Sequence, residues 1–146
     1  MYERLLVPVD GSKTSIQGLE EAIKLARQLN ASIRLIHVLD DVTLEPEGAP
    51  SLTVARDSGA RRAAANAILS DGTARVARSG VEVDSVLVEA TGSPTGKYIV
   101  DYAKECRADL IACGTHGRRG LRRLVMGSDA EYVVRHAPAP VLLVRG

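Results

Sequence analysis

A chain of 146 residues with a formal net charge of +1 can bury one core and carries no global pull toward nucleic acid or membranes. With no Trp, no Phe and four Tyr, it has little to stack on bases, and its core has to come from Val, Leu, Ile and Ala. No apolar run nears the roughly 20 residues of a membrane span, and Met1-Tyr-Glu-Arg-Leu-Leu-Val lacks the apolar stretch of a signal peptide.

The first predicted element is Leu5-Leu-Val-Pro-Val, a continuous apolar run suited to a central parallel strand covered on both faces. Pro8 has no N–H and would ordinarily argue for an edge strand, but near the carboxyl end it can sit where the sheet opens toward a ligand. Asp10-Gly11-Ser12 turns the chain into a helix whose stripe is Ile16, Leu19, Ile23, Ala26 and Leu29, closed by Asn30. Ile33 to Val38 is the second strand. From Asp40 to Leu52 the chain is acidic and rich in Pro and Gly, which predicts a mobile loop.

The next helix carries Ala60, Ala63, Ala64, Ala67 and Ile68 inward with Arg61 and Arg62 outward; Gly72 weakens it and Gly80 closes it. Val81 to Val88 is the third strand. Ser93-Pro94 reads as N-cap and first residue of a helix that turns Ile99, Val100, Ala103 and Cys106 inward. Leu110 to Cys113 is the fourth strand. A last helix, near Asp129 to His136, precedes the fifth, Pro140 to Val144. Strands alternating with helices imply an α/β fold: a single domain over residues 1–146, an open parallel five-stranded sheet with helices on both faces. Cys106 and Cys113 then read as two buried thiols of a cytoplasmic protein rather than a disulfide framework.

Between the fourth strand and the last helix lies Gly114-Thr-His-Gly117, nine residues from Arg118 to Met126, then Gly127-Ser128. A strand, a glycine-rich loop and a helix N-terminus can wrap a phosphate chain in backbone N–H groups. Glycine suits this because it reaches positive φ and lets the backbone approach a ligand. Arg118, Arg119, Arg122 and Arg123 make the spacer basic: they either neutralise phosphates or form a solvated loop face. Asp129 suits the helix dipole but would repel a phosphate beside Ser128, an objection that a bridging Mg²⁺ removes.

Gly-x2-Gly-x9-Gly-Ser, with the first strand ending in Asp10, resembles the signature of the universal stress protein family in its ATP-binding branch, and the likeness runs over nearly the whole chain. Ligands of open α/β sheets bind at the carboxyl ends of strands, where the winding reverses. Strand order 3-2-1-4-5 would place the loops after strands one and four at one crevice, and the resemblance implies the same order. It further implies an ATP site made of Pro8, Asp10, Val38, Gly114, Gly117, Gly127 and Ser128. Asp10 would accept from ribose or hold Mg²⁺ or Mn²⁺ through water and the phosphates, and Val38 would meet adenine through its backbone. The ordinary roles of these residues are an Asx-turn or helix cap for Asp10, core for Val38 and tight turns for the glycines.

No Walker loop, Gly-x-Ser-x-Gly elbow or metal-spaced histidine occurs, and His116 is a loop residue before it is a base. The sequence therefore reads as a cytoplasmic ATP-binding stress-response module. Its binding would alter the 40–52 loop and the arginine spacer for an unidentified protein partner. A slow ATP hydrolase or phosphotransfer enzyme, and a non-nucleotide interaction protein, are the alternative readings. The short apolar strand Val141–Val144, at a sheet edge, needs cover; the resemblance implies that a second copy supplies it in a homodimer.

Overall fold

The computed structural model describes residues 1–40, 58–115 and 126–146. The proposed 40–52 loop beyond Asp40, and with it Gly117, His116 and the arginines of the spacer, lie outside them. β1 (Arg4–Pro8), β2 (Ser32–Asp40), β3 (Val83–Ala90), β4 (Leu110–Gly114) and β5 (Val141–Val144) form one parallel sheet in the order β3-β2-β1-β4-β5. The helices are α1 (Lys13–Leu29), α2 (Ser58–Arg78), α3 (Thr95–Glu105) and α4 (Ser128–His136). This is the α/β single domain expected from the alternation of elements, with the expected strand order.

Because successive strand residues face opposite sides, β1 feeds two cores. Leu5, Val7 and Val9 join Ile33 and Leu35 under α1 and α2, while Leu6, Ile36 and Ile111 pack with Ile99, Val100 and Val133 of α3 and α4. Such strands have no polar face, so the apolar runs of β1 and β4 are a direct consequence of their place in the middle of the sheet. Winding reverses at β1: the chain moves to β2 and β3 on one side, then returns across to β4 and β5. The two thiols, Cys106 and Cys113, are free and buried, as expected.

α2 differs from expectation. Ala60, Ala63, Ala64 and Ala67 are exposed, and the buried stripe is Ala65, Leu69, Gly72 and Val76. Gly72, far from being a mere weakness, sits in the interface; a Cβ there would lie 2.9 Å from Leu35 Cδ1. Arg61 is half-buried and donates to the Asp40 carbonyl, and Arg62 pairs with Glu89. Leu69→Ala is therefore expected to cost about 3 kcal/mol in denaturant unfolding, against less than about 0.5 kcal/mol for Ala64→Ser. Equal costs would place the stripe elsewhere.

At the opposite end of the sheet from the glycine loop, Asp109 Oδ2 accepts the N–H groups of Glu3 and Arg4, each at 2.9 Å. Those donors hold its carboxyl below the usual range. A carboxyl whose folded pKa is depressed stabilises the fold above its unfolded value, about 3.9, and loses that contribution as pH falls through the folded value. The stability gap between the wild type and Asp109→Ala should accordingly be full at pH 7 and close below about pH 4. A gap independent of pH would contradict the role.

Candidate nucleotide site

The turn after β1 is built from its own side chains. Gly11 has φ +81°, so the chain reverses there at little steric cost. Asp10 Oδ1 accepts the Ser12 N–H at 2.9 Å, an Asx-turn, and Ser12, not Asp10, caps α1 by accepting the Ser15 N–H at 3.2 Å. Ser15 in turn accepts the Asp10 N–H at 3.0 Å. The ordinary role of Asp10 as a turn former is thus present, and it fixes where the carboxylate stands at the carboxyl end of β1.

Gly114 ends β4, the neighbour of β1. Neither Gly114 nor Gly127 has positive φ; among the described residues the glycines that do are Gly11, Gly80 and Gly92. Close approach is the reason for Gly114. A Cβ there would lie 2.6 Å from the Thr14 carbonyl oxygen, and one on Gly18 would lie 3.0 Å from Gly114 N. The first turn of α1 rests directly on the end of β4. At Gly114 the lack of a Cβ thus serves a contact within the protein, whatever its backbone offers a ligand.

Thr115 donates to the Val144 carbonyl at 3.0 Å, and its own carbonyl accepts the Gly127 N–H at 2.7 Å. Thr115 and Gly127 are therefore held together beside the end of β4. Gly127 is the N-cap of α4, with φ −59° and ψ 153°, and supplies no side-chain acceptor. The first turn of α4 carries the positive end of the helix dipole, and it stands at the carboxyl end of the sheet. Ser128, the first residue of α4, is exposed.

Asp129 has a partner on a neighbouring helix. Its Oδ1 accepts the Gly96 N–H at 3.2 Å, so the carboxylate lies on the N-terminus of α3. The cap of α3 is Pro94, one residue later than expected from Ser93-Pro94, and it makes no side-chain cap bond. A group on a neighbouring helix supplies the acceptor. Gly96 allows the approach, since a Cβ there would meet Tyr132 Cβ at 2.8 Å.

Of the expected site residues, the structure brings Pro8 and Asp10 at the end of β1, Gly114 at the end of β4, and Gly127 and Ser128 at the start of α4 to the same edge of the sheet. Val38 lies near the end of β2, two residues past the last β1–β2 pair, Pro8 with Ile36. Its side chain packs with the α3 and α4 core, as the sequence alone suggested. Sequence reasoning missed Ser15 and His37, both buried and both bonded to the main chain of Val9 and Asp10. Their partners are backbone atoms, for which spacing gives no signal.

Cys113, just before Gly114, has its thiol pushed up to about 11 by burial and so stays protonated and unreactive at neutral pH. A cleft of about 250 Å³ opens between α1 and α2, touching Val9, Gly11 and Ser15. Gly114, Gly127 and Ser128 do not line it, and its charged groups, Asp71 and Arg75, pair with each other at 2.9 Å.

Comparison with known proteins agrees with this architecture. A universal stress protein of Methanocaldococcus jannaschii is 32% identical over 99% of this chain and 83% of its own length. The solved structure of the universal stress protein UspA from Lactobacillus plantarum superposes with a TM-score of 0.82 at 30% identity, covering 99% of this chain and 98% of that one. A universal stress protein from Arabidopsis thaliana, solved with AMP bound, shares the fold with a TM-score of 0.70 at 20% identity, over 98% of this chain and 91% of its own. The profile of the universal stress protein family matches residues 1–145, and with those glycines and that strand order the chain belongs to the family.

Proposed function

We propose that this chain is a cytoplasmic adenine-nucleotide-binding module of the stress response, of the ATP-binding branch, which binds ATP with Mg²⁺ or Mn²⁺ and signals its state to a protein partner. The observation that carries this reading is the Gly127 N–H bond to the Thr115 carbonyl. It sets the N-terminus of α4 above β4, beside the strand whose end carries Asp10. Pro8, Asp10, Val38, Gly114, Gly117, Gly127 and Ser128 form the site in this reading. The AMP bound by the Arabidopsis relative supports the ligand class.

The donor set suits a cation held by phosphates rather than by the protein. Among the described residues no group of three His, Cys, Asp or Glu side chains could hold a metal ion. Asp10 would meet the ion through water. No helix among the described residues is long and apolar enough to cross a membrane. β5 is an edge strand, half-buried along its length, and antiparallel pairing with a second copy would cover it.

Thermal unfolding with ATP, ADP and AMP, with and without Mg²⁺, tests the nucleotide reading. Nucleotide at about 100 times Kd should raise Tm by roughly 5–10 °C. No shift with any of them would leave the interaction-only alternative, and ADP accumulating above buffer would support the hydrolase alternative.

A further inference from the structure

Ser15 and His37 are the buried polar side chains among the described residues, and both close on one short piece of main chain. Ser15 Oγ takes the Asp10 N–H at 3.0 Å, and His37 Nδ1 lies 2.7 Å from the Val9 carbonyl oxygen. A carbonyl can only accept, so the proton of the second bond is on Nδ1.

The sheet register explains why that carbonyl needs a donor. The β1–β2 ladder ends at Pro8 with Ile36, and Val9 still gives its N–H to the Ile36 carbonyl at 2.9 Å. The next rung of a parallel ladder would be Val38 N–H to Val9 C=O. Among the described residues that rung is not made; the imidazole of His37 takes the carbonyl instead. A buried carbonyl left without a donor would cost free energy, so the ring substitutes for the missing rung.

We propose that His37 is a positioning residue for the nucleotide: its Nδ1–H caps the Val9 carbonyl in place of the Val38 amide, fixing the backbone that carries Asp10 and leaving the Val38 main chain for the ligand. This rests on the adenine-nucleotide reading above. His37 touches no ligand in this scheme. It acts by holding two strand ends apart at the spacing the ligand fills, so its loss removes preorganisation rather than a contact.

Calorimetric titration of the full chain with AMP, paired with ¹⁵N NMR of the imidazole, tests the role. The wild type is expected to bind, with His37 as the Nδ1–H tautomer. His37→Leu should bind about tenfold more weakly. His37→Asn, whose amide N–H falls near the Nδ1 position, should recover most of the affinity, and His37→Gln, whose amide falls near Nε2, should not. An Nε2–H tautomer, unchanged affinity in His37→Leu, or equal affinity in the Asn and Gln variants would overturn the positioning role while the nucleotide reading stands. Absence of AMP binding by the wild type would overturn that reading itself. Should His37→Leu fail to fold, the tautomer and the Asn–Gln comparison decide.

Discussion

Gly114→Ala is expected to lower the unfolding free energy by about 3 kcal/mol and Tm by about 10 °C. The added Cβ would stand 2.6 Å from the Thr14 carbonyl oxygen and 2.9 Å from its carbon. Both are main-chain atoms of the first turn of α1, so no side-chain rotation relieves the clash. Relief requires α1 to move away from β4, and Gly18 shows how closely that helix is seated, its own Cβ position lying 3.0 Å from Gly114 N. The same movement would carry off Ser12 and Ser15, which hold Asp10 in place. Nucleotide affinity should therefore fall together with stability. A variant within about 0.5 kcal/mol of wild type would contradict the close seating of α1.

Asp10→Ala should weaken ATP binding in Mg²⁺ by about 10- to 100-fold, the range expected for losing a hydrogen bond to a charged group. It also removes the acceptor of the Ser12 N–H, so a smaller loss of stability, about 1 kcal/mol, accompanies it. Asp10→Asn separates the two effects. The amide oxygen can keep the Asx-turn while the charge is gone, so stability should recover and affinity should not. Calorimetric titration beside chemical unfolding reads both quantities. Full affinity in Asp10→Asn would remove the carboxylate from the site and leave Asp10 as a turn former alone.

The parts of the fold that were legible in the sequence are those where one face is forced. β1 and β4 sit in the interior of a parallel sheet, so their apolar runs carried the assignment. α3 read correctly because Ile99, Val100, Ala103 and Cys106 are apolar among polar neighbours. α2 did not, because alanine fills positions 60, 63, 64, 65, 67, 74 and 77 and so marks no single face. Only Leu69 and Val76, seven apart, set its phase, with Gly72 between them seated against Leu35.

At the candidate site, the glycine spacing gave no sign of the contact that Gly114 makes within the protein. Positive φ and ligand approach were the reasons available from sequence; the Thr14 contact arises from how α1 crosses β4, which no local pattern encodes. The contact made by Asp129 was hidden for a similar reason. Its partner, the Gly96 N–H, is 33 residues away on another helix. The bond from Gly127 to Thr115 likewise appears only in three dimensions.

The most direct measurement is a backbone amide NMR map of the protein titrated with AMP. If the ligand occupies the crevice between β1 and β4, amide shifts will concentrate at Asp10, Val38, Gly127 and Ser128 and leave Arg4, Val83 and Asp109 at the far end unmoved. Shifts confined to the α1–α2 cleft around Ala67 and Gly72, or no shifts at saturating AMP, would contradict the account.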